Sequence, residues 1–253
     1  MNLKYPYYYF ISAISKDNCN KIIDAGLKKI NEYQLKGIDT SAVTFGNNQK
    51  QKNNNKLPQK EKSILQLKQE GINKEDVYVR DSEVAWLSDT WLYDLIVPFI
   101  QKANFNAGWN FEIDRFEPLQ FTIYHPGGFY SWHKDGGSDH NAIYKRYISG
   151  VTENNNNNDK LPEGYVKNDK MIGKVRKISM TLNLNEPGQY EGGNLLFDFG
   201  HHQDGEQYYE CKEMRPQGSI IIFPSFLPHC VTPLTKGIRY SLVLWCLGGP
   251  FKW

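Results

Sequence analysis

Hydrophobic positions change their period along the chain. After the capping signal Ser15-Lys16-Asp17-Asn18, apolar residues fall at Cys19, Ile22, Ile23, Leu27 and Ile30. That one-sided spacing predicts an amphipathic helix over residues 16–33. Residues 46–62 are Gln, Asn and Lys with hardly any apolar content and read as a mobile loop, with a short helix near 60–70. From Val84 to Ala103 the positions Val84, Trp86, Leu87, Trp91, Leu92, Leu95, Ile96, Phe99 and Ile100 predict a second helix or pair of helices, kinked at Pro98.

From about residue 109 the pattern alternates instead. Phe111–Asp114 and Leu119–Tyr124 read as strands, and similar runs follow at Lys177–Leu184, Asn194–Phe199, Ser219–Phe223 and Tyr240–Trp245. Turn signals separate them at His125-Pro126-Gly127-Gly128, Glu191-Gly192-Gly193 and Lys236-Gly237. Short strands punctuated by Gly and Pro predict an antiparallel sandwich or barrel. The expectation is one α+β, mostly β domain: a helical N-terminal part over 1–108 packed on one sheet of a β core over 109–253. A mobile insertion at about 138–175 carries the run Asn154 to Asn158. No internal repeat is visible.

Composition narrows the function class. Of 253 residues, 40% are hydrophobic and 14% aromatic, enough for a sizeable core and weighted toward strands. The formal net charge of +2 is spread through the chain, which argues against nucleic acid as the main partner, since that role needs clustered Lys and Arg. No window reaches about 18 consecutive apolar residues, and the start of the chain lacks the pattern of a signal peptide, so no membrane partner is expected. The four cysteines (Cys19, Cys211, Cys230, Cys246) form no CxxC pair and read as reduced thiols of a cytoplasmic protein.

Candidate chemistry gathers on the β half. Trp132-His133-Lys134-Asp135 spaces His133 and Asp135 two residues apart, and on an extended strand such residues share a face. The apolar and aromatic segment before them makes a solvated surface turn the weaker reading, and an inward His and Asp need a charged partner such as a metal. A third ligand must come from a distant strand, and His229 follows the apolar run Phe223–Pro228 at a proline-bounded turn. The competing reading is a buried histidine satisfied by backbone. Ten residues on, Arg239 and Ser241 share one strand face while Tyr240, Leu242 and Leu244 share the other. An inward Arg must be paired, by a protein acid or by a small dicarboxylate held at two points. Two His and one carboxylate leave open coordination positions, the pattern of non-haem Fe(II) oxygenases. A zinc hydrolase uses similar ligands, but has no need of a dedicated arginine one strand beyond. His125, His140, His201 and His202 read as loop residues rather than ligands.

These residues resemble the prolyl 4-hydroxylase-like 2-oxoglutarate/Fe(II) oxygenases of the double-stranded β-helix (jelly-roll, cupin-like) superfamily, and most of all the PKHD-type hydroxylases. The matching stretches are Gln120–Tyr124 through Tyr130–Asp135, Tyr190–Leu195, and Phe223–Ser225 through His229–Arg239, with Val79–Ser82 and Trp86-Leu87 upstream. The resemblance implies that His133, Asp135 and His229 hold Fe(II) and that Arg239 binds the distal carboxylate of 2-oxoglutarate. Tyr124 matches a tyrosine of the co-substrate pocket, and Ser241 sits on the strand face of Arg239. Some relatives present a tyrosine to that carboxylate where this chain has Thr181-Leu182-Asn183, so Thr181 or Asn183 is expected to donate instead. Tyr130, Trp132 and Trp245 are candidates to contact substrate. The reaction implied is hydroxylation of an unactivated C–H bond with O2, releasing succinate and CO2, with ascorbate rescuing oxidised iron. The substrate implied is a prolyl or similar residue in a peptide or protein. A free amino acid or other small metabolite is the second reading, and a non-enzymatic jelly-roll module with a structural metal is the third.

Overall fold

Long strands rich in Ile, Leu and Val build the frame of the molecule, and their alternation decides what each face meets. The computed structural model describes residues 3–42, 44–45, 78–136, 143–148, 164–200 and 208–251. In chain order these form β1 (Tyr8–Phe10), α1 (Lys16–Leu35), β2 (Thr44–Phe45), β3 (Tyr78–Asp81), β4 (Glu83–Leu87), α2 (Thr90–Asn106), β5 (Arg115–Phe116), β6 (Leu119–Tyr124), β7 (Phe129–His133), β8 (Lys145–Arg146) and β9 (Tyr165–Val166). There follow β10 (Val175–Asn183), β11 (Tyr190–Gly192), β12 (Leu195–Asp198), β13 (Tyr208–Glu210), β14 (Ile220–Pro224), β15 (His229–Val231), β16 (Leu234–Gly237) and β17 (Arg239–Gly248). The expected loop at 46–62, the short helix near 60–70, the Asn run, His140 and His201-His202 lie outside the described residues.

Two sheets carry the fold. The larger has seven strands in the order β1-β14-β10-β17-β6-β4, with β5 beside β17; the smaller has six in the order β13-β12-β15-β7-β3-β2. Two short pairs, β11-β16 and β8-β9, complete it, and every pairing except β8-β9 is antiparallel. This is the double-stranded β-helix that the motifs imply.

One face of the large sheet is apolar. Leu182 lies opposite Leu242, Met180 opposite Leu244 and Ile178 opposite Cys246 along the β10–β17 pair. These residues share one buried cluster with Cys19, Ile22 and Ile30 of α1 and with Leu92, Ile96, Ile100 and Ala103 of α2. Both helices therefore cover that face, and each fully buried Leu or Ile contributes about 1.5–3 kcal/mol. Ser15 caps α1 by accepting from the Asn18 N–H at 3.3 Å, as its sequence predicts. No helix among the described residues is long and apolar enough to cross a membrane.

Three local expectations are corrected. Glu83–Leu87 is a strand, pairing with β6 from Glu83↔Ile123 to Leu87↔Leu119, and the helix begins only at Thr90. Apolar residues at 84, 86 and 87 fit both a helical and an alternating period, and pairing with the exposed edge of β6 decided between them. Residues 111–114 form no strand; the register with β17 covers only β5, flanked by the Asp114 and Glu117 N–H groups donating to the Leu247 and Trp245 carbonyls. The segment 1–108 is also not purely helical, because β1, β3 and β4 from that part extend both sheets. Pro98 lies within α2, which runs on to Asn106.

Candidate metal centre and its cavity

The other face of the large sheet is polar and looks across at the small sheet. His133 ends β7, His229 opens β15, and the two are direct partners in the antiparallel register. Their imidazole centroids are 4.2 Å apart. The strand stops at His133, so Asp135 does not share a pleated face with it as the spacing suggests. It sits in a bend, fixed where the Gly136 N–H donates to the Ser225 carbonyl at 2.9 Å. From there Asp135 Oδ1 lies 3.5 Å from His133 Nε2 and Oδ2 lies 3.5 Å from His229 Nε2. One ligand atom from each of the three residues falls within 4.8 Å of the others, a spacing that suits one divalent cation.

The surroundings orient these ligands. His133 Nδ1 is 2.7 Å from the Ser131 carbonyl, and His229 Nδ1 is 2.9 Å from the Leu227 carbonyl. Each Nδ1–H donates to its carbonyl, so the Nε2 lone pair is the one turned toward the shared centre. Burial holds His229 down, to a pKa of about 4, against the opposing pull of Asp135, and keeps it a neutral donor at neutral pH. Burial also opposes ionisation of Asp135, but the facing His229 and His133 and the nearby Arg176 outweigh it. They hold its carboxyl well below the usual carboxylate range.

The centre opens on a cavity of about 490 Å³, measured to include its solvent mouth. Tyr124, Thr181, Arg239 and Ser241 line it beside the three candidate ligands, as do Tyr130 and Trp245. Leu195, Phe223, Val231 and Val243 give it apolar walls. Arg239 is 2% exposed, lies opposite Tyr124 in the β6–β17 register, and makes no ion pair among the described residues. Its Nε is buried without a hydrogen-bond partner there, and its guanidinium lies 5.4 Å from the Tyr124 ring and 6.0 Å from the Tyr190 ring. A buried cation in this condition fits an anionic ligand that completes it. Gly192 and Gly193 take φ of 73° and 60°, and a Cβ on Gly193 would stand 3.1 Å from Arg239 Cδ, so this turn needs glycine.

Two expected residues fall outside the cavity. Asn183 shares a strand face with Thr181, but its amide donates to the Arg215 carbonyl at 2.9 Å and the Asn185 carbonyl at 3.1 Å, so it anchors a turn instead. Trp132 falls between Ser131 and His133 in the alternation, is 39% exposed, and packs on Tyr208 with ring centroids 4.5 Å apart. His125 is a surface residue, 2.6 Å from Glu83, in keeping with its reading as a loop histidine. The four cysteines are buried and unpaired.

Sequence reasoning missed Arg80, Gln120 and Thr122 as cavity residues. Arg80 is 8% exposed, donates to Ser82 Oγ and Gln120 Oε1 at 2.8 Å each, and lies 4.8 Å from the Tyr130 ring. The available signal was polar alternation on β6, where Gln120 and Thr122 are interleaved with Leu119, Phe121 and Ile123; Val79-Arg80-Asp81-Ser82 carries no such pattern.

Comparison with known proteins gives the family and the fold. The sequence profile of the 2OG-Fe(II) oxygenase superfamily matches residues 119–247. A PKHD-type hydroxylase of Klebsiella pneumoniae (strain 342) is 29% identical over 125 residues, 49% of this chain and 40% of the relative. The matched stretch thus spans about two fifths of that relative's length. Among solved structures, a viral collagen prolyl hydroxylase from Paramecium Bursaria Chlorella virus-1, as a 2OG complex, superposes with a TM-score of 0.53 at 16% identity over 97% of each chain. A prolyl hydroxylase from Trichoplax adhaerens, bound to a hypoxia inducible factor peptide fragment, gives 0.53 at 13% identity over 96% of this chain and 84% of that one. At such identities these two structures speak for the fold alone.

Proposed function

The chain belongs to the 2OG-Fe(II) oxygenase superfamily, and from that membership we propose that it is a 2-oxoglutarate-dependent dioxygenase that hydroxylates an unactivated C–H bond. The observation that carries this reading is one cavity holding both His133, Asp135 and His229 within 4.8 Å and the buried Arg239, which pairs with no acid among the described residues. The three ligands hold Fe(II), and Arg239 takes the distal carboxylate of 2-oxoglutarate. Iron, when bound, supplies the oxidative chemistry, in which substrate, O2 and 2-oxoglutarate become hydroxylated substrate, succinate and CO2.

The protein's part is positioning and electrostatics. Ser131 and Leu227 carbonyls fix the two imidazoles, and Asp135 stays ionised to neutralise the cation. Tyr124, Ser241 and Thr181 frame the Arg239 end of the cavity, where hydroxyls can complete the carboxylate's hydrogen bonds. The apolar walls keep water from the reacting carbon. Tyr130 and Trp245 are the proposed substrate contacts. Ascorbate as the reductant that rescues oxidised iron, and a cytoplasmic setting for the four free thiols, belong to the same proposal.

The proposed substrate is a prolyl or similar residue in a peptide, by analogy of fold with the peptide-bound prolyl hydroxylase among the structural neighbours. One observation favours a second reading, a small acid such as a free amino acid. Arg80 is a further buried guanidinium in the same cavity and, among the described residues, bonds only neutral oxygens. Succinate release with Fe(II) and 2-oxoglutarate tests the reaction class, and its absence under all substrates refutes it. Mass analysis of a proline-containing peptide library for one added oxygen tests the substrate. Modification of free amino acids but no peptide selects the second reading.

A further inference from the structure

Behind Asp135 lies a charged network, its Glu117 buried and its Arg176 and Tyr144 half-buried, that the reaction itself does not call for. Arg176, at the start of β10, holds Glu117 in a two-point pair, with Nε to Oε1 at 2.7 Å and Nη2 to Oε2 at 2.8 Å. Its remaining arm, Nη1, donates to the backbone carbonyl of Asp135 at 3.3 Å. The guanidinium plane rests on Trp245, 3.9 Å from the ring centre. Tyr144 closes the network by donating its hydroxyl to Glu117 Oε1 at 2.8 Å.

A structural ion pair needs only the two bonds between Arg176 and Glu117. The third bond has a specific target. Asp135 lies beyond the end of β7, outside any strand pairing, so its backbone is held by few contacts. Among the described residues, the Gly136 N–H donates to the Ser225 carbonyl and the Arg176 guanidinium to the Asp135 carbonyl. Arg is suited to this because its fixed fork grips one acid while presenting another N–H elsewhere, which a single ammonium does poorly. Glu117 and Tyr144 fix the fork, and Trp245 fixes its plane.

We propose that Arg176, locked by Glu117 and Tyr144, is a positioning residue that sets the orientation of Asp135 and thereby the affinity of the centre for a divalent cation. The inference rests on the oxygenase reading of the three ligands. Loss of such supporting contacts typically weakens metal binding about 10–100-fold.

The test is titration of the chelator-stripped full chain with Mn(II), following free ion by EPR, with thermal unfolding measured in parallel. Arg176→Met combined with Glu117→Gln removes both charges together, and Mn(II) affinity is expected to fall about 10–100-fold. Arg176→Lys keeps the charge and the pair with Glu117 and so guards against a folding failure. Having one head for two targets, it is expected to bind Mn(II) about 3–10-fold more weakly than the parent. A lowered unfolding midpoint with parental Mn(II) affinity in either folded variant overturns the proposal and leaves Arg176 a structural pair. A parent that binds no Mn(II) overturns the oxygenase reading and this inference with it, whereas a binding parent with unaffected variants overturns this inference alone.

Discussion

Replacing Arg239 by Met should change stability little and 2-oxoglutarate binding greatly. In the ligand-free protein Arg239 is 2% exposed, its Nε is buried without a partner, and no acid among the described residues pairs with it. An unsatisfied buried donor costs about 1–3 kcal/mol, which Met removes while keeping an unbranched apolar stem that reaches the position of Nε. Against this stand the contacts with the Tyr124 and Tyr190 rings at 5.4 and 6.0 Å, each worth about 0.5–1 kcal/mol at separations so near the limit of the interaction. The balance runs from a variant about 1 kcal/mol less stable than the parent to one about 2 kcal/mol more stable. Binding should change far more. Truncating one partner of a buried charge pair costs about 2–5 kcal/mol, or roughly 30- to 4,000-fold in 2-oxoglutarate affinity. Urea unfolding of the metal-free protein measures the first quantity, and calorimetric titration of 2-oxoglutarate into the Mn(II)-loaded protein measures the second. If the variant loses more than about 1 kcal/mol of stability, or binds 2-oxoglutarate within about threefold of the parent, the residue is structural and the reasoning fails.

Other consequences follow from the same coordinates. Asp135→Ala leaves two imidazoles with no anion between them, so bound metal and succinate formation should both vanish; turnover retained by the variant removes Asp135 from the ligand set. His229 is held at about 4 in the metal-free fold against an ordinary 6.5, so between those pH values the unfolded chain binds more protons. Its contribution to stability is therefore intact above pH 6.5 and falls away as pH drops toward 4, by up to about 3 kcal/mol. Denaturant titrations of chelated parent and His229→Gln at pH 7 and 4.5 should show a steeper loss in the parent, and equal slopes argue against the burial described. Gly26→Ala gains about 1 kcal/mol of helix propensity but sets a Cβ 2.3–2.5 Å from the buried Phe121 ring. Overpacking of about 1–3 kcal/mol should prevail and lower the melting temperature by a few degrees; a rise shows that α1 does not sit this close to β6.

The centre was legible in the sequence because its chemistry is carried by rare residue types in a fixed order. His133, Asp135, His229 and Arg239 each follow an apolar run or share a strand face, and β-strand alternation separates Arg239 and Ser241 from Leu242 and Leu244 as expected. Less legible were the places where two periods coincide. Val84 to Leu87 satisfied both helix and strand, and only the edge of β6 chose between them. Asn183 illustrates another limit: its face was readable, but not that the carbonyls of Asn185 and Arg215 compete for its amide. Trp132 adjoins a ligand in sequence and still points away, because adjacent strand residues face opposite sides. The Arg176–Glu117–Tyr144 network joins residues 27 and 59 apart, a spacing that no local pattern encodes.

The most direct measurement is anomalous diffraction from crystals grown without oxygen in Mn(II) and 2-oxoglutarate. A single metal peak about 2 Å from His133 Nε2, His229 Nε2 and an Asp135 oxygen is predicted, with the far carboxylate of 2-oxoglutarate on the Arg239 guanidinium. Metal bound elsewhere, or 2-oxoglutarate held with Arg239 untouched, contradicts the account.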